Sequence, residues 1–165
     1  MDVIEAIRTR RTIRKFTGET LPESALETIV DAGHLAASGM NTQPWEFVII
    51  TDSTIMAQLR IPENHWSCTA GAYIAVVMDP KSRWWMEDAS AAIQNMLLAA
   101  WSLGYGGCWM ESYTGRNETA FKKVLGIPDP LRLFCLVAFG VPAEHPTIEK
   151  KALSEVLRWQ HYSEP

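Results

Sequence analysis

The sequence predicts an α+β or three-layer α/β architecture, on three observations. Helical periodicity fills most of the first forty positions; three apolar runs, at 47–50, 73–78 and 131–139, have the length and composition of strands; and helical patterns separate those runs. A chain of 165 residues with 47% hydrophobic content fits one domain over 1–165, able to bury its own interior without disulfides or a structural metal.

Taken in order, Val3, Ile4 and Ile7 recur at helical spacing, so a short helix over 2–8 delivers a basic stretch at 8–15. Thr20 and Glu23 have the spacing of a capping box, and Leu26, Ile29, Val30, Gly33 and Ala37 extend a second helix to residue 37. Ser38, Gly39, Met40 and Asn41 then suit a tight turn with available polar groups. After the strand at 47–50, Thr51 and Asp52 cap a helix over 53–59. The run 73–78 is apolar throughout, as a central strand should be. A long helix over 85–103 has apolar residues on nearly every side, which makes it a core helix. Glycines 104, 106 and 107 end it and lead into a short strand at 108–110. Asn117 opens a helix closed by Gly126, 131–139 is the third long strand, and an amphipathic helix over 149–159 follows. Trp159 and Tyr162 come so late that the segment 142–165 is expected to pack on something beyond its own helix.

Composition excludes several classes. Fifteen Lys and Arg against nineteen Asp and Glu leave a net charge of −4, which offers no general attraction to nucleic acid, although a local cluster can still hold one phosphate. Cys68, Cys108 and Cys135 are odd in number and lack CxxC spacing, as free thiols of a reducing cytoplasm do. No secretory signal opens the chain. The most apolar helical stretch, 89–103, is interrupted by Ser90, Gln94, Asn95 and Ser102, too soon to span a membrane. The four histidines are too scattered for a metal site, and no strand is followed by G-x-G-x-x-G, which disfavours a dinucleotide-binding domain. Seven tryptophans in so short a chain favour an oligomer or a planar ligand.

Three constellations could carry chemistry. Arg8, Arg10, Arg11, Arg14 and Lys15 put five positive charges within eight residues, and guanidinium groups grip phosphate bidentately with the Thr12 hydroxyl as a further donor. The alternative is a solvated basic face paired with Asp and Glu. In the turn 38–45, Ser38 and Gly39 precede Asn41 and Gln43, whose amides offer the donors and acceptors that read an amide-imide edge, and Pro44 with Trp45 stiffens the loop; an ordinary polar turn is the alternative. In the third, Gly106 and Gly107 leave the backbone bare, either for approach to a flat ring or as a helix end entering a strand. Cys108 reads as a small buried thiol, and no side-chain set forms a dedicated acid, base or nucleophile.

With these residues in view, the chain resembles the nitroreductase-like flavoproteins. IEAIRTRRTIRKF at 4–16 is similar to their opening helix and Arg-Arg/His-Ser/Thr grip, NTQPW at 41–45 to their N-x-Q-P-W loop, GYGGCW at 104–109 to their glycine segment after the central helix, and GVPA at 140–143 to a G-x-P-A segment. Two departures stand out: Ala37 replaces a frequent proline, and the late basic position falls on either Lys150 or Lys151. The resemblance implies an α/β/α sandwich with a mixed, largely antiparallel sheet in an intertwined homodimer that holds FMN at the subunit interface. It implies that Arg10, Arg11 and Thr12 contact phosphate and ribityl chain, that Arg14 lies by the pyrimidine side, and that Asn41, with Ser38, Gly39 and Gln43, meets the ring. Gly106 and Gly107 fall on the N5 side, and Lys150 or Lys151 adds charge to the phosphate. The implied reaction runs from NADH or NADPH through the flavin to a small acceptor such as a nitroaromatic or quinone. Dehalogenation, dehydrogenation, flavin fragmentation or simple FMN carriage on the same scaffold are the alternatives.

Overall fold

The computed structural model describes residues 1–112 and 117–162. Helix α1 (Val3–Thr9) opens where the Asp2 carboxylate accepts from the backbone N–H groups of Ile4 and Glu5 at 2.8 and 3.1 Å. Helix α2 (Glu23–His34) starts later and stops earlier than the sequence suggested. Its N-cap is Pro22, whose carbonyl accepts from Ala25 and Leu26, and the Thr20 capping box does not form. The proline fixes the entry to the helix itself, with the neighbouring Leu21 buried as its anchor. Beyond Leu35 the chain straightens, and Ser38 is fully extended, so residues 35–37 are not helical.

Four strands follow, β1 (Trp45–Ile50), β2 (Ala72–Met78), β3 (Gly106–Ser112) and β4 (Arg132–Gly140), interleaved with α3 (Ser53–Gln58), α4 (Trp85–Ser102) and α5 (Glu118–Leu125). The sheet order is β1-β2-β4-β3, and all three ladders are antiparallel. One isolated parallel bridge, Thr12 to Gly107, makes the sheet mixed. Asp52 caps α3 through bonds to Thr54 and Ile55, and left-handed Gly126 closes α5.

Strand β2 is buried on both faces, which explains its unbroken apolar run. Ile74, Val76 and Met78 join α2 and α4 in one hydrophobic cluster. Tyr73, Ala75 and Val77 join Ile13, Phe16, Met56 and Phe121 in the other, the face covered by α3 and α5. Along β4 the alternation slips once. Phe134 and Cys135 both face the α4 side, and Leu136 resumes on the other, at the place where the β2 register skips from Val76 to Val77.

The late helix is shorter than its pattern suggested. Helix α6 covers only Leu153–Val156, and Leu153, Trp159 and Tyr162 are 71%, 76% and 88% exposed. Among the described residues these side chains stay largely exposed, with the Arg158 guanidinium over the Tyr162 ring, so the amphipathic pattern at 149–159 does not fold into one continuous helix. No helix among the described residues is long and apolar enough to cross a membrane.

Glu118 pins α5 to the sheet. Its carboxylate accepts from Arg132 Nε and Nη2 at 2.7 Å each and from the Leu133 N–H at 3.1 Å, and the Arg132 bonds hold its pKa below the ordinary 4.5. Because the folded value lies below the unfolded one, this stabilisation is complete above pH 4.5 and fades as pH falls through the lowered value. Glu118→Gln is therefore expected to destabilise the protein by about 1 to 2 kcal/mol at neutral pH. Denaturant titrations of both proteins should show that difference shrinking below pH 4.5.

Candidate functional site

Beyond α1 the chain runs extended along the edge of the sheet. The Ile13 N–H donates to the Gly107 carbonyl at 3.2 Å, and Ile13 and Phe16 turn inward, so Arg14 and Lys15 turn outward. Residues 14–17 are matched from the other side by 141–144: Ala143 N–H bonds Lys15 O, Thr17 N–H bonds Val141 O, and the Glu144 carboxylate accepts from the backbone N–H groups of Arg14 and Lys15 at 2.6 and 3.1 Å. The structure thus brings Arg10, Arg11, Thr12 and Arg14 together with Gly106 and Gly107.

The side-chain charges in this segment have no ion-pair partner among the described residues. Arg11 Nη1 folds back on the Arg8 and Arg10 carbonyls at 2.9 Å, satisfying the end of α1. Arg10, Arg11 and Thr12 are half-buried, and burial, reinforced by the adjacent Arg11 charge, lowers the Arg10 pKa. Among the described residues none of Arg8, Arg10, Arg11, Arg14 or Lys15 forms an ion pair. The one carboxylate set into the segment among the described residues, Glu144, is engaged by backbone N–H groups and leaves the basic side chains as a cluster. An anion would relieve it.

Beside Arg14 lies a cavity of about 340 Å³ lined also by Asn64, Trp66, Cys108, Trp109 and Met110. Asn64 is a residue that the sequence did not single out. It sits in a 3-10 segment, Pro62–Thr69, braced from below by the buried Tyr73 hydroxyl, which bonds the Ser67 hydroxyl at 2.7 Å and the Ser67 carbonyl at 3.1 Å. The Asn64 Oδ1 accepts from the Ile61 N–H at 2.8 Å, whereas its Nδ2 has no partner although the residue is only 5% exposed. A buried donor without an acceptor is costly, so Nδ2 would gain from an acceptor brought beside it. Cys108 is not a nucleophile in this setting: burial, outweighing the opposing pull of Arg14, pushes its thiol up to about 11.

Gly106 and Gly107 owe their lack of side chains to packing. A Cβ on Gly106 would stand 2.5 Å from Ile13 Cγ1, and one on Gly107 would stand 2.7 Å from Leu97 Cδ2 and 2.9 Å from Phe139. Both residues are buried within the chain, so their bareness serves the seating of the basic segment on β3.

The 38–43 loop lies elsewhere. It precedes β1 at the sheet end marked by the Trp45–Met78 pair, whereas Gly106 pairs with Gly140 at the far end of the opposite edge strand. From strand spacing and rise, these diagonal corners are roughly 20 to 25 Å apart. Met40, Asn41 and Gln43 adopt positive φ, at 52°, 57° and 47°, and all three are exposed; the Ser38 hydroxyl accepts from the Gln43 N–H at 3.1 Å. One chain therefore does not unite Asn41 and Gln43 with Arg10. Lys150 and Lys151 are exposed and without hydrogen-bond or ion-pair partners among the described residues.

The nitroreductase family model matches residues 7–67 and 62–141. The chain is 34% identical over 155 residues, covering 88% of this chain and 80% of the relative, to a Methanothermobacter thermautotrophicus protein provisionally named NADH dehydrogenase/NAD(P)H nitroreductase. It is 34% identical over 194 residues to iodotyrosine deiodinase of Nematostella vectensis, covering 93% and 73% of the two chains. Among solved structures, a Bacteroides fragilis nitroreductase with bound FMN superposes with a TM-score of 0.78 at 27% identity, covering 93% of this chain and 95% of the other. Family model, sequence relatives and fold agree: this chain belongs to the nitroreductase family.

Proposed function

We propose that the protein is a homodimeric FMN-dependent oxidoreductase that draws hydride from NADH or NADPH and passes electrons to a small acceptor such as a nitroaromatic or quinone. The observation that carries this reading is the buried Asn64 amide, whose Nδ2 has no partner among the described residues and whose residue lines a cavity edged by Arg14. A flavin pyrimidine ring presents carbonyl acceptors of the kind that amide lacks. Arg10, Arg11 and Thr12 hold the phosphate and ribityl chain, and either Lys150 or Lys151 adds a charge there. Arg14 and Asn64 orient the ring. Gly106 and Gly107 seat the basic segment that makes this possible.

Ser38, Gly39, Asn41 and Gln43 reach a flavin only across a dimer, since they stand at the corner opposite the arginines. The exposed apolar side chains of α1, Val3, Ile4 and Ile7, and of the 142–165 segment form the remaining contact with the partner. When bound, FMN supplies the hydride chemistry at N5. The chain binds, orients and shields it, so donor and acceptor use one open face in turn, a ping-pong order that requires no protein acid or base.

The likeness to iodotyrosine deiodinase favours one second reading, reductive dehalogenation of an aromatic substrate on the same scaffold. Purified protein is expected to be yellow and to release FMN on extraction, read by chromatography. A folded sample that takes up no FMN on reconstitution rejects the proposal, and turnover of a halogenated phenol in preference to a nitroaromatic selects the second reading.

A further inference from the structure

The 38–43 loop is held in a shape that its own residues resist. Met40, Asn41 and Gln43 all occupy the left-handed region, which non-glycine residues enter against steric opposition and which persists only where the surroundings impose it. Their exposed side chains make one long contact, from Gln43 Nε2 to the Asn41 carbonyl at 3.5 Å. The Ser38 hydroxyl braces the loop internally through the Gln43 N–H, and Thr42 meets the Ser82 hydroxyl at 3.2 Å; a further restraint comes from the start of α4. There the Trp84 ring fills the space that a Gly39 side chain would need, with Cδ2 only 2.6 Å from an ideal Cβ. One helical turn on, Asp88 Oδ1 accepts from the Gly39 N–H at 3.0 Å.

Asp88 is 5% exposed, and its Oδ2 has no hydrogen-bond partner. Among the described residues it forms no ion pair. A buried carboxylate with one oxygen unmet opposes folding, and an apolar residue would fill the site at less cost. Since among the described residues its one side-chain bond goes to Gly39, its contribution is the shape of the loop. We propose that Asp88 is a positioning residue for cofactor binding, presetting the 38–43 loop to meet the flavin ring held by the partner subunit. This rests on the loop's role given under Proposed function. A preset loop spares the ordering cost that a free one would pay on binding.

Because the loop addresses the ring and not the phosphate, Asp88→Ala is expected to weaken FMN and riboflavin alike, by about tenfold. Asp88→Asn keeps a carbonyl oxygen for Gly39 and should return both affinities to within about threefold of the parent. Asp88→Leu, which fills the space with apolar atoms, should match the alanine variant and provides the measurement if that variant does not fold. Affinities unchanged well below the unfolding temperature, with only the melting point lowered, would mean a purely structural role and overturn the inference. So would a loss confined to FMN, or an asparagine variant as weak as alanine. If the parent itself binds no flavin, the functional proposal fails; if the parent binds normally and the Asp88 variants do too, only this inference fails.

Discussion

Arg10→Ala is expected to weaken FMN binding by about 1.5 to 3 kcal/mol, roughly tenfold to over a hundredfold, while barely changing the affinity for riboflavin. Arg10 is half-buried, lies beside Arg11 and has no counter-ion among the described residues. In the free protein it therefore suffers repulsion and desolvation without compensation. A phosphate relieves both, and riboflavin, which has none, does not. Titration of apo-protein with each ligand, followed by flavin fluorescence, reads the difference. Equal losses for the two ligands would mean that Arg10 acts through folding. Burial and the Arg11 charge lower its pKa, but a guanidinium keeps its charge in proteins, so the effect should not depend on pH between about 6 and 8.

The second large effect is complementation between two defective chains. Arg10→Ala and Asn41→Ala each break every site in their own homodimers if Arg10 and Asn41 of one site come from different subunits. Co-refolded in equal amounts, half the dimers are mixed, and each mixed dimer carries one intact site and one doubly broken one. About a quarter of the sites should regain parental affinity. The measurement is FMN bound at a concentration well above the parental Kd and below those of the variants. No recovery on mixing would place both residues in one subunit's site, against the diagonal separation across the sheet. The same linkage predicts that FMN tightens the dimer, because a ligand that binds only the assembled form favours it by mass action.

Much of the fold was legible because local and global signals agree. The Asp52 cap, the all-apolar β2 and the glycine closing α5 each express a local rule that the packing leaves intact. The misreadings came where something nonlocal or unrecognised intervened. Thr20 and Glu23 had the right spacing, but Pro22 set the helix start. The pattern at 149–159 is amphipathic, yet a stripe without a facing surface in its own chain yields only one turn. The missing side chains of Gly106 and Gly107 also make room for Ile13, Leu97 and Phe139, a packing demand that the sequence does not show because Ile13 lies far off along the chain.

The arginine grip and the 38–43 loop were both visible, since charge density and an amide-rich turn are compositional signals. Asn64 was not. A single asparagine in a short connection between helix and strand carries no periodicity, and its significance appears only when Oδ1 is seen to be used and Nδ2 left over. Asp88 was hidden in the same way, inside a helix whose pattern marks the position only as polar, with Gly39 distant in sequence.

The most direct test of the account is anaerobic mixing of FMN-loaded protein with NADH or NADPH. The account predicts that the visible absorbance of the oxidised flavin bleaches as the nicotinamide is consumed in equal amount, and returns when a nitroaromatic or quinone is added. A bound flavin that neither NADH nor NADPH bleaches, in folded protein with full FMN occupancy, would contradict it.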